Sequence, residues 1–111
     1  MSFHLSAEDI RIDDNHILRA RLQNVDGEWQ DAEIDLNHHL GNNEGQIHWD
    51  GVNFSESVEN VEFQIEGGGQ VPVLRCFCRD SEGNEFARDV NLSERIENQN
   101  GQFVYTRVAM P

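Results

Sequence analysis

The stretch Leu40-Gly41-Asn42-Asn43-Glu44-Gly45-Gln46-Ile47-His48-Trp49 returns 56 positions later as Ile96-Glu97-Asn98-Gln99-Asn100-Gly101-Gln102-Phe103-Val104-Tyr105. Asn42, Gly45 and Gln46 reappear as Asn98, Gly101 and Gln102, while Leu40/Ile96, Ile47/Phe103 and Trp49/Tyr105 stay apolar. A constant offset across a turn and both its flanks marks an internal repeat, which has to be found before any fold is assigned. Carried upstream without a gap, it sets Ile17 to Trp49 over Val73 to Tyr105 and matches Leu18, Arg19, Gly27 and Leu36 to Leu74, Arg75, Gly83 and Leu92. Further upstream the offset falls to 51 and pairs Phe3, Ser6, Glu8 and Ile10 with Phe54, Ser57, Glu59 and Val61. The second copy therefore holds five extra residues around Glu66-Gly67-Gly68-Gly69-Gln70, which read as a flexible loop. Two copies are too few for a solenoid, which needs about three units to bury a continuous core. Two half-folds completing each other are expected instead.

Within each copy, Leu18-Arg19-Ala20-Arg21-Leu22 and Leu74-Arg75-Cys76-Phe77-Cys78 alternate with the two-residue period of a half-buried strand. Asp26-Gly27, Glu82-Gly83, Glu44-Gly45 and Asn100-Gly101 supply residues that tolerate positive φ, so four hairpins are predicted, two per copy. Between them, Asn37 and Ser93 read as caps of single helical turns at Asp35-Leu36-Asn37-His38-His39-Leu40 and Asn91-Leu92-Ser93-Glu94-Arg95-Ile96. The fold class is all-β with short helical turns.

Length and composition suit one domain: 111 residues, 37% hydrophobic and 26% charged. Asp and Glu number 21 against 8 basic residues, a formal charge of -13, so phosphate backbones and anionic lipids are repelled and nucleic acid is not an expected partner. A neutral ligand such as a sugar meets no such penalty. The start Met-Ser-Phe-His-Leu-Ser-Ala-Glu-Asp lacks the apolar run of a signal peptide, and no apolar run reaches the roughly eighteen residues of a membrane span. A cytoplasmic protein without membrane insertion is expected, with unconventional release left open. Cys76 and Cys78 stand two apart in a strand, where same-face Cα atoms lie about 6.5–7 Å apart, at or beyond the usual limit for a disulfide. Free, packed thiols in a reducing compartment follow.

The runs Ile34-Asp35-Leu36-Asn37, Leu40 to Trp49 and Gly51-Val52-Asn53-Phe54-Ser55-Glu56-Ser57, with their echoes in the second copy, resemble the cyanovirin-N family. The resemblance covers nearly the whole chain and rests on order, spacing and duplication together. It implies one elongated, pseudo-twofold domain over residues 1–111, from sequence repeats 1–53 and 54–111 that exchange segments. Each structural half then holds a three-stranded sheet and a β-hairpin, one half drawn from about 1–38 plus 95–111 and the other from about 39–94. It also implies a lectin for terminal Manα(1-2)Man units of high-mannose glycans, with no metal, no cofactor and no catalysis.

Carried over by position, the central sugar site comprises Gly41, Asn42, Asn43, Glu44, Asn53, Phe54, Glu56 and Ser57, with Arg79, Asp80 and Ser81 on the facing turn. The terminal site comprises Phe3, Leu5, Ser6, Gln23, Asn24, Val25, Asn98, Gln99 and Asn100. Amides, carboxylates and hydroxyls on rigid turns suit a ligand whose adjacent hydroxyls both donate and accept. Leu5 and Val25 stand where relatives often place polar residues, and Gly41 replaces a side chain that commonly helps hold the sugar. Weak binding, stronger at the central site or confined to one of the two, is expected. The family pattern also carries a disulfide per repeat, at positions held here by Ala7, Leu22, Val58 and Cys78, so both bridges are absent. Such a loss typically removes about 2–5 kcal/mol, to be replaced in part by apolar packing. Asp50-Gly51 stands where a family proline favours domain swapping, so a monomer is expected.

Plainer readings stand beside these. Asn42 and Asn98 also serve as turn formers, Trp49 and Tyr105 read as core, and the role of Trp29, opposite Glu85 in the second copy, is open. His38-His39, with His4, His16 and His48, do not complete a metal spacing, and Asp13-Asp14 and Asp80 to Glu85 lack the pattern of a calcium loop. Two rival functions are a protein-interaction domain whose sugar sites have decayed and a glycosidase using Glu44 and Glu56. The second needs a cleft and a desolvated acid that a chain of this size has little material to build.

Overall fold

The computed structural model describes residues 3–68 and 71–106. Ten strands run through them: β1 (Ala7–Asp13), β2 (Ile17–Gln23), β3 (Trp29–Asp35), β4 (Leu40–Asn43), β5 (Gln46–Trp49), β6 (Val58–Glu66), β7 (Val71–Arg79), β8 (Glu85–Asn91), β9 (Ile96–Gln99) and β10 (Gln102–Tyr105). They form two antiparallel three-stranded sheets, β1-β2-β3 and β6-β7-β8, and two hairpins, β4-β5 and β9-β10. Single 3-10 turns at Phe3–Ser6, Leu36–His38, Phe54–Ser57 and Leu92–Glu94 join them. β10 packs against β3, and β5 against β8, so each hairpin lies on the sheet of the other repeat. The all-β architecture read from the repeat and the segment exchange implied by the family resemblance are both present, and the molecule is elongated, 50 × 33 × 25 Å.

Alternation explains the strands. Leu18, Ala20 and Leu22 of β2 are buried, as are Leu74, Cys76 and Cys78 at the equivalent places of β7. Arg75, Phe77 and Arg79 point to the other, exposed face. Leu36/Leu92, Leu40/Ile96 and Phe3/Phe54 continue the pairing of buried positions, so the repeat is above all a repeat of core positions. Each first strand bulges at one point, between Glu8 and Arg11 and between Glu59 and Glu62. Asp9 and Asn60 take φ 55 there, residue types that tolerate the left-handed region.

All four predicted hairpin turns form. Glu44-Gly45 and Asn100-Gly101 each combine two positive φ values, 51 with 89 and 51 with 84, the two-residue turn whose twist matches its strands. The helical caps differ from expectation. Asp35 and Asn91 cap the turns, accepting from the backbone N–H of Asn37 and Ser93 at 2.9 and 3.0 Å. Asn37 lies inside its turn and reaches across instead: Nδ2 donates to Ser55 Oγ at 2.8 Å, and its Oδ1 and backbone O accept from Ser55 N and Asn53 N. The five-residue insert is also less loop than expected. Glu66 ends β6 opposite Val71, and its carboxylate is held by Arg75. Gly67 and Gly68 turn at positive φ, while Gly69 and Gln70 lie outside the described residues.

Ala7 faces Leu22, and Val58 faces Cys78, so the positions of the absent bridges are direct cross-strand neighbours filled by packing. Cys76 and Cys78 are buried free thiols with Sγ atoms 3.7 Å apart. Burial first, and then the neighbouring Cys78, push the Cys76 thiol up to about 12, which leaves it protonated and unreactive.

Where the hairpins meet, the His39 ring stacks on Tyr105 at 4.0 Å. The Tyr105 hydroxyl donates to Asp50 Oδ1, Asp50 N donates back at 3.2 Å, and Arg95 Nη1 lies 3.4 Å from Asp50 Oδ2. Trp49 and Tyr105 pack on the core as expected. Burial, followed by the charge of His38, holds His39 below the ordinary histidine value against the pull of Asp35 and Asp50. A histidine depressed in the fold and near 6.5 when unfolded binds its proton more readily in the unfolded chain. Stability is therefore full above 6.5 and is lost as the pH falls from there through the folded value. In urea titrations at pH 7.5 and 5.5, His39→Phe, which keeps the stacked ring, should lose less stability between the two than the parent. Equal losses would assign the acid sensitivity to other groups.

Candidate functional site

The nominated segments come together around two asparagines. Asn42 stands on β4, half-buried, and its Nδ2 donates to Ser57 Oγ at 2.8 Å, Ser57 O at 3.2 Å and Arg79 O at 2.8 Å. Its Oδ1 accepts from Gly45 N at 2.9 Å. One side chain thus fixes the β4-β5 turn, the 3-10 turn at Phe54–Ser57 and the end of β7. Asn98 repeats the pattern on β9, with Nδ2 donating to Ser6 Oγ at 2.8 Å and Gln23 O at 3.0 Å and Oδ1 accepting from Gly101 N at 2.9 Å. Ser57/Ser6, Arg79/Gln23 and Gly45/Gly101 are the same matches that the repeat offsets make. Asparagine is needed because only a primary amide offers two donors and an acceptor in so short a side chain.

A second link closes each cluster. Glu44 Oε2 accepts from both Ser81 N and Ser81 Oγ at 3.0 Å. At the other end Asn100 Oδ1 accepts from Val25 N at 3.1 Å. Both β-hairpin tips are therefore tied to the loop of the neighbouring sheet. Exposed on the central cluster are Asn43, Glu44, Glu56, Arg79 and Ser81. On the terminal cluster Leu5 is 62% and Val25 83% exposed, where their counterparts in the central one are Glu56 and Ser81.

Several nominated residues have other work. Phe3 and Phe54 are buried in the core and offer no ring to a ligand. Gly41 is buried against His48 and Gly51; a Cβ there would come within 2.8 Å of His48 Nε2 and 3.2 Å of Gly51 Cα, so the backbone has closed over the place of a side chain. Asp80 closes its own turn, with Oδ1 accepting from Glu82 N at 3.0 Å and Asn84 N at 2.8 Å. Partial burial pushes the Asp80 carboxyl up, but the bonds from Asn84 and Glu82 outweigh it and hold it below its usual value. Asn24 does the same for the β2-β3 turn, accepting from Asp26 N and Glu28 N. Asn53 opens the 3-10 turn at φ 57 and accepts from Glu56 N. Arg79 turns its guanidinium to Glu59 at 2.7 Å. Gln99 is exposed opposite Gln102.

Among the described residues no three His, Cys, Asp or Glu side chains gather to hold a metal ion. The histidines separate: His16 Nδ1 lies 2.7 Å from Asp35 Oδ1, His39 stacks on Tyr105, and His38 is turned 78° from His39. No described helix is long and apolar enough to cross a membrane.

Both clusters are turn surfaces; depressions open on the sheets, one of them beside Leu5 of the terminal cluster. One of about 360 Å³ lies on β1-β2-β3, lined by Arg11, Arg19 and Arg21. Another, of about 400 Å³, lies at the matching place on β6-β7-β8, lined by Arg75, Phe77 and Asp89. A third of about 580 Å³ lies between β1 and β6, beside Leu5 and Ile65. Phe77 is the residue that sequence reasoning passed over. Its signal is an aromatic between two buried cysteines, and so on the outer face, where the first repeat has Arg21.

A family model described as the CVNH domain matches residues 3–104. A cyanovirin-N homolog of Neurospora crassa is 49% identical over 107 residues, which cover 93% of this chain and 96% of the relative. The solved structure of the N. crassa CVNH aligns with a TM-score of 0.84 at 48% identity, over 96% of this chain and all of that one. A microvirin:mannobiose complex aligns with a TM-score of 0.84 at 30% identity, over 94% and 97% of the two chains. With a family match running almost end to end and the duplicated asparagine junctions to account for it, the chain belongs to the cyanovirin-N homologs, a family of lectins.

Proposed function

We propose that the central cluster binds terminal Manα(1-2)Man units of high-mannose oligosaccharides and glycoproteins. The observation that carries this is the Asn42 junction, which locks three chain segments and leaves Asn43, Glu44, Glu56, Arg79 and Ser81 exposed around it. A rigid ring of donors and acceptors fits a ligand of adjacent hydroxyls without ordering cost at the moment of binding. A relative 30% identical that is solved with mannobiose supports the ligand class. The terminal cluster is the weaker of the two, because Leu5 and Val25 replace the carboxylate and hydroxyl of Glu56 and Ser81. Binding proceeds without bond cleavage: Glu44 is tied to Ser81 and Glu56 is exposed, so neither is enclosed as a glycosidase acid requires.

The test is an amide-shift NMR titration of labelled protein with Manα(1-2)Man. Saturable shifts at Asn43, Glu44, Glu56 and Ser81, with smaller ones near Asn98 and Asn100, are the expected outcome. A spectrum silent at millimolar sugar would move the reading to a protein-interaction domain. The protein is further proposed to act as a monomer, with Asp50-Gly51 in place of the swap-favouring proline, and in a reducing compartment, given its buried thiols. Light scattering that returned a dimer mass at micromolar concentration would overturn the first point, and a requirement for an oxidised bridge in the native protein the second.

A further inference from the structure

We propose that the outer face of β6-β7-β8 carries a carbohydrate subsite in which a pyranose of a longer oligosaccharide stacks on Phe77. It rests on the central-site reading for the kind of ligand delivered to it. Phe77 is 42% exposed, unusual for so large an apolar side chain on a strand interior, and it lines the depression of about 400 Å³. That volume lies within the roughly 300–1,000 Å³ of small-ligand sites.

The strand register explains why the ring is uncovered. Phe77 faces Ala87 on β8, a methyl too small to shield it, and Glu59 on β6, drawn away by Arg79. The bulge after Glu59, with Asn60 at φ 55, then opens β6 beside the ring. Around it stand Asn60, Glu62, Arg75 and Asp89, the last two paired at 3.2 Å. An aromatic face among amide, carboxylate and guanidinium groups suits a pyranose, whose C–H face meets the electron-rich ring while its hydroxyls meet the rim. A neutral ligand meets no net repulsion from a protein of charge -13, and a rim with Arg75 beside Glu62 and Asp89 offers its hydroxyls both donors and acceptors. Phe77 also lies two residues from Arg79 on the same strand face, about 7 Å away, so one oligosaccharide can span both.

The first repeat supplies an internal control. Its depression of about 360 Å³ sits at the matching place but has Arg21, paired with Glu8, for Phe77 and Asp31 for Ala87. No stacking face exists there, and no sugar is expected to bind.

Titration with Manα(1-2)Man and with a free branched oligomannose of nine mannose residues separates the possibilities. The larger sugar should shift the amides of Glu62, Arg75, Phe77, Ala87 and Asp89, leaving Arg11, Arg19 and Asp31 in place. Phe77→Ala should weaken oligomannose binding about tenfold and leave the disaccharide unaffected, while Phe77→Trp, with a larger face, should retain binding. Silence of the Phe77 set, or equal oligomannose affinity in Phe77→Ala, overturns the subsite whatever the Asn42 cluster does. Movement of the Phe77 set with Asn43, Glu44 and Ser81 silent upholds the subsite and sinks the central-site reading instead.

Discussion

Asn42→Ala is expected to lower the unfolding free energy by about 3 kcal/mol and to abolish sugar-induced shifts at the central cluster. The substitution strips Ser57 O, Ser57 Oγ and Arg79 O of a donor and Gly45 N of its acceptor. A hydrogen bond is worth roughly 0.5–1.5 kcal/mol net, and a polar group left unsatisfied costs about 1–3. Two amide hydrogens serve the three acceptors, and the partly exposed Arg79 side of the junction can admit water, so the sum stays near 3 rather than above it. Asn98→Ala loses one contact fewer and should cost about 2 kcal/mol by the same arithmetic. Asn42→Asp is the sharper control, since it keeps Oδ1 for Gly45 N but turns an acceptor toward two carbonyls. It should be no better than alanine. Urea unfolding with unchanged m values reads the stability, and the spectrum shows whether Glu44 and Ser81 remain together. Wild-type stability in Asn42→Ala would mean that water replaces the side chain and that the junction is not what holds the site.

The fold was legible because the repeat conserves what burial demands: Leu18/Leu74, Leu36/Leu92, Leu40/Ile96 and Phe3/Phe54 are all buried, and the Gly-bearing turns fall where the offset puts them. The sequence is ambiguous where two residues could each do one job. Asp35 and Asn37 are both good cap formers, and the choice was made by Ser55, which engages Asn37 from another element. The glycines of the insert suggest a loop, yet Arg75 fixes Glu66 and lengthens the ladder. For the sites, spacing found the asparagine junctions because the same motif appears twice. It could not show that the rings of Phe3 and Phe54 turn inward, since a 3-10 turn of four residues buries some side chains and presents others with no long period to read. Gly41 was legible as a lost side chain but not as a tight contact, which depends on where Gly51 comes to rest.

Gly45→Ala and Gly101→Ala form the second large prediction, because matched substitutions in the two repeats should differ in cost for a reason visible only in three dimensions. Both glycines hold the second position of the same turn type, at φ 89 and 84, where an L side chain costs about 1–2 kcal/mol in backbone strain. Both also donate to a junction asparagine. The difference lies in the residue each new methyl meets. At Gly45 a Cβ would stand 2.5 Å from Phe86 Cδ2, on a ring that β8 lays against the hairpin, with Arg88 over it and Arg88 Nε bonded to Gly45 O. At Gly101 it would stand 2.6 Å from Gln30 Oε1, the far end of an exposed side chain that can rotate away, and 3.3 Å from Asn24 Cβ, which has to give by only a few tenths of an ångström. Overpacking against a ring with little freedom adds roughly 1–3 kcal/mol, so Gly45→Ala should cost about 3–4 kcal/mol and Gly101→Ala about 1–2. Urea unfolding of the two variants measures the gap, and adding Phe86→Leu to Gly45→Ala should recover part of the loss by relieving the clash. Equal costs in the two repeats, or no recovery in the double variant, would place the whole penalty in the turn backbone and show that the hairpin can shift over β8 to make room.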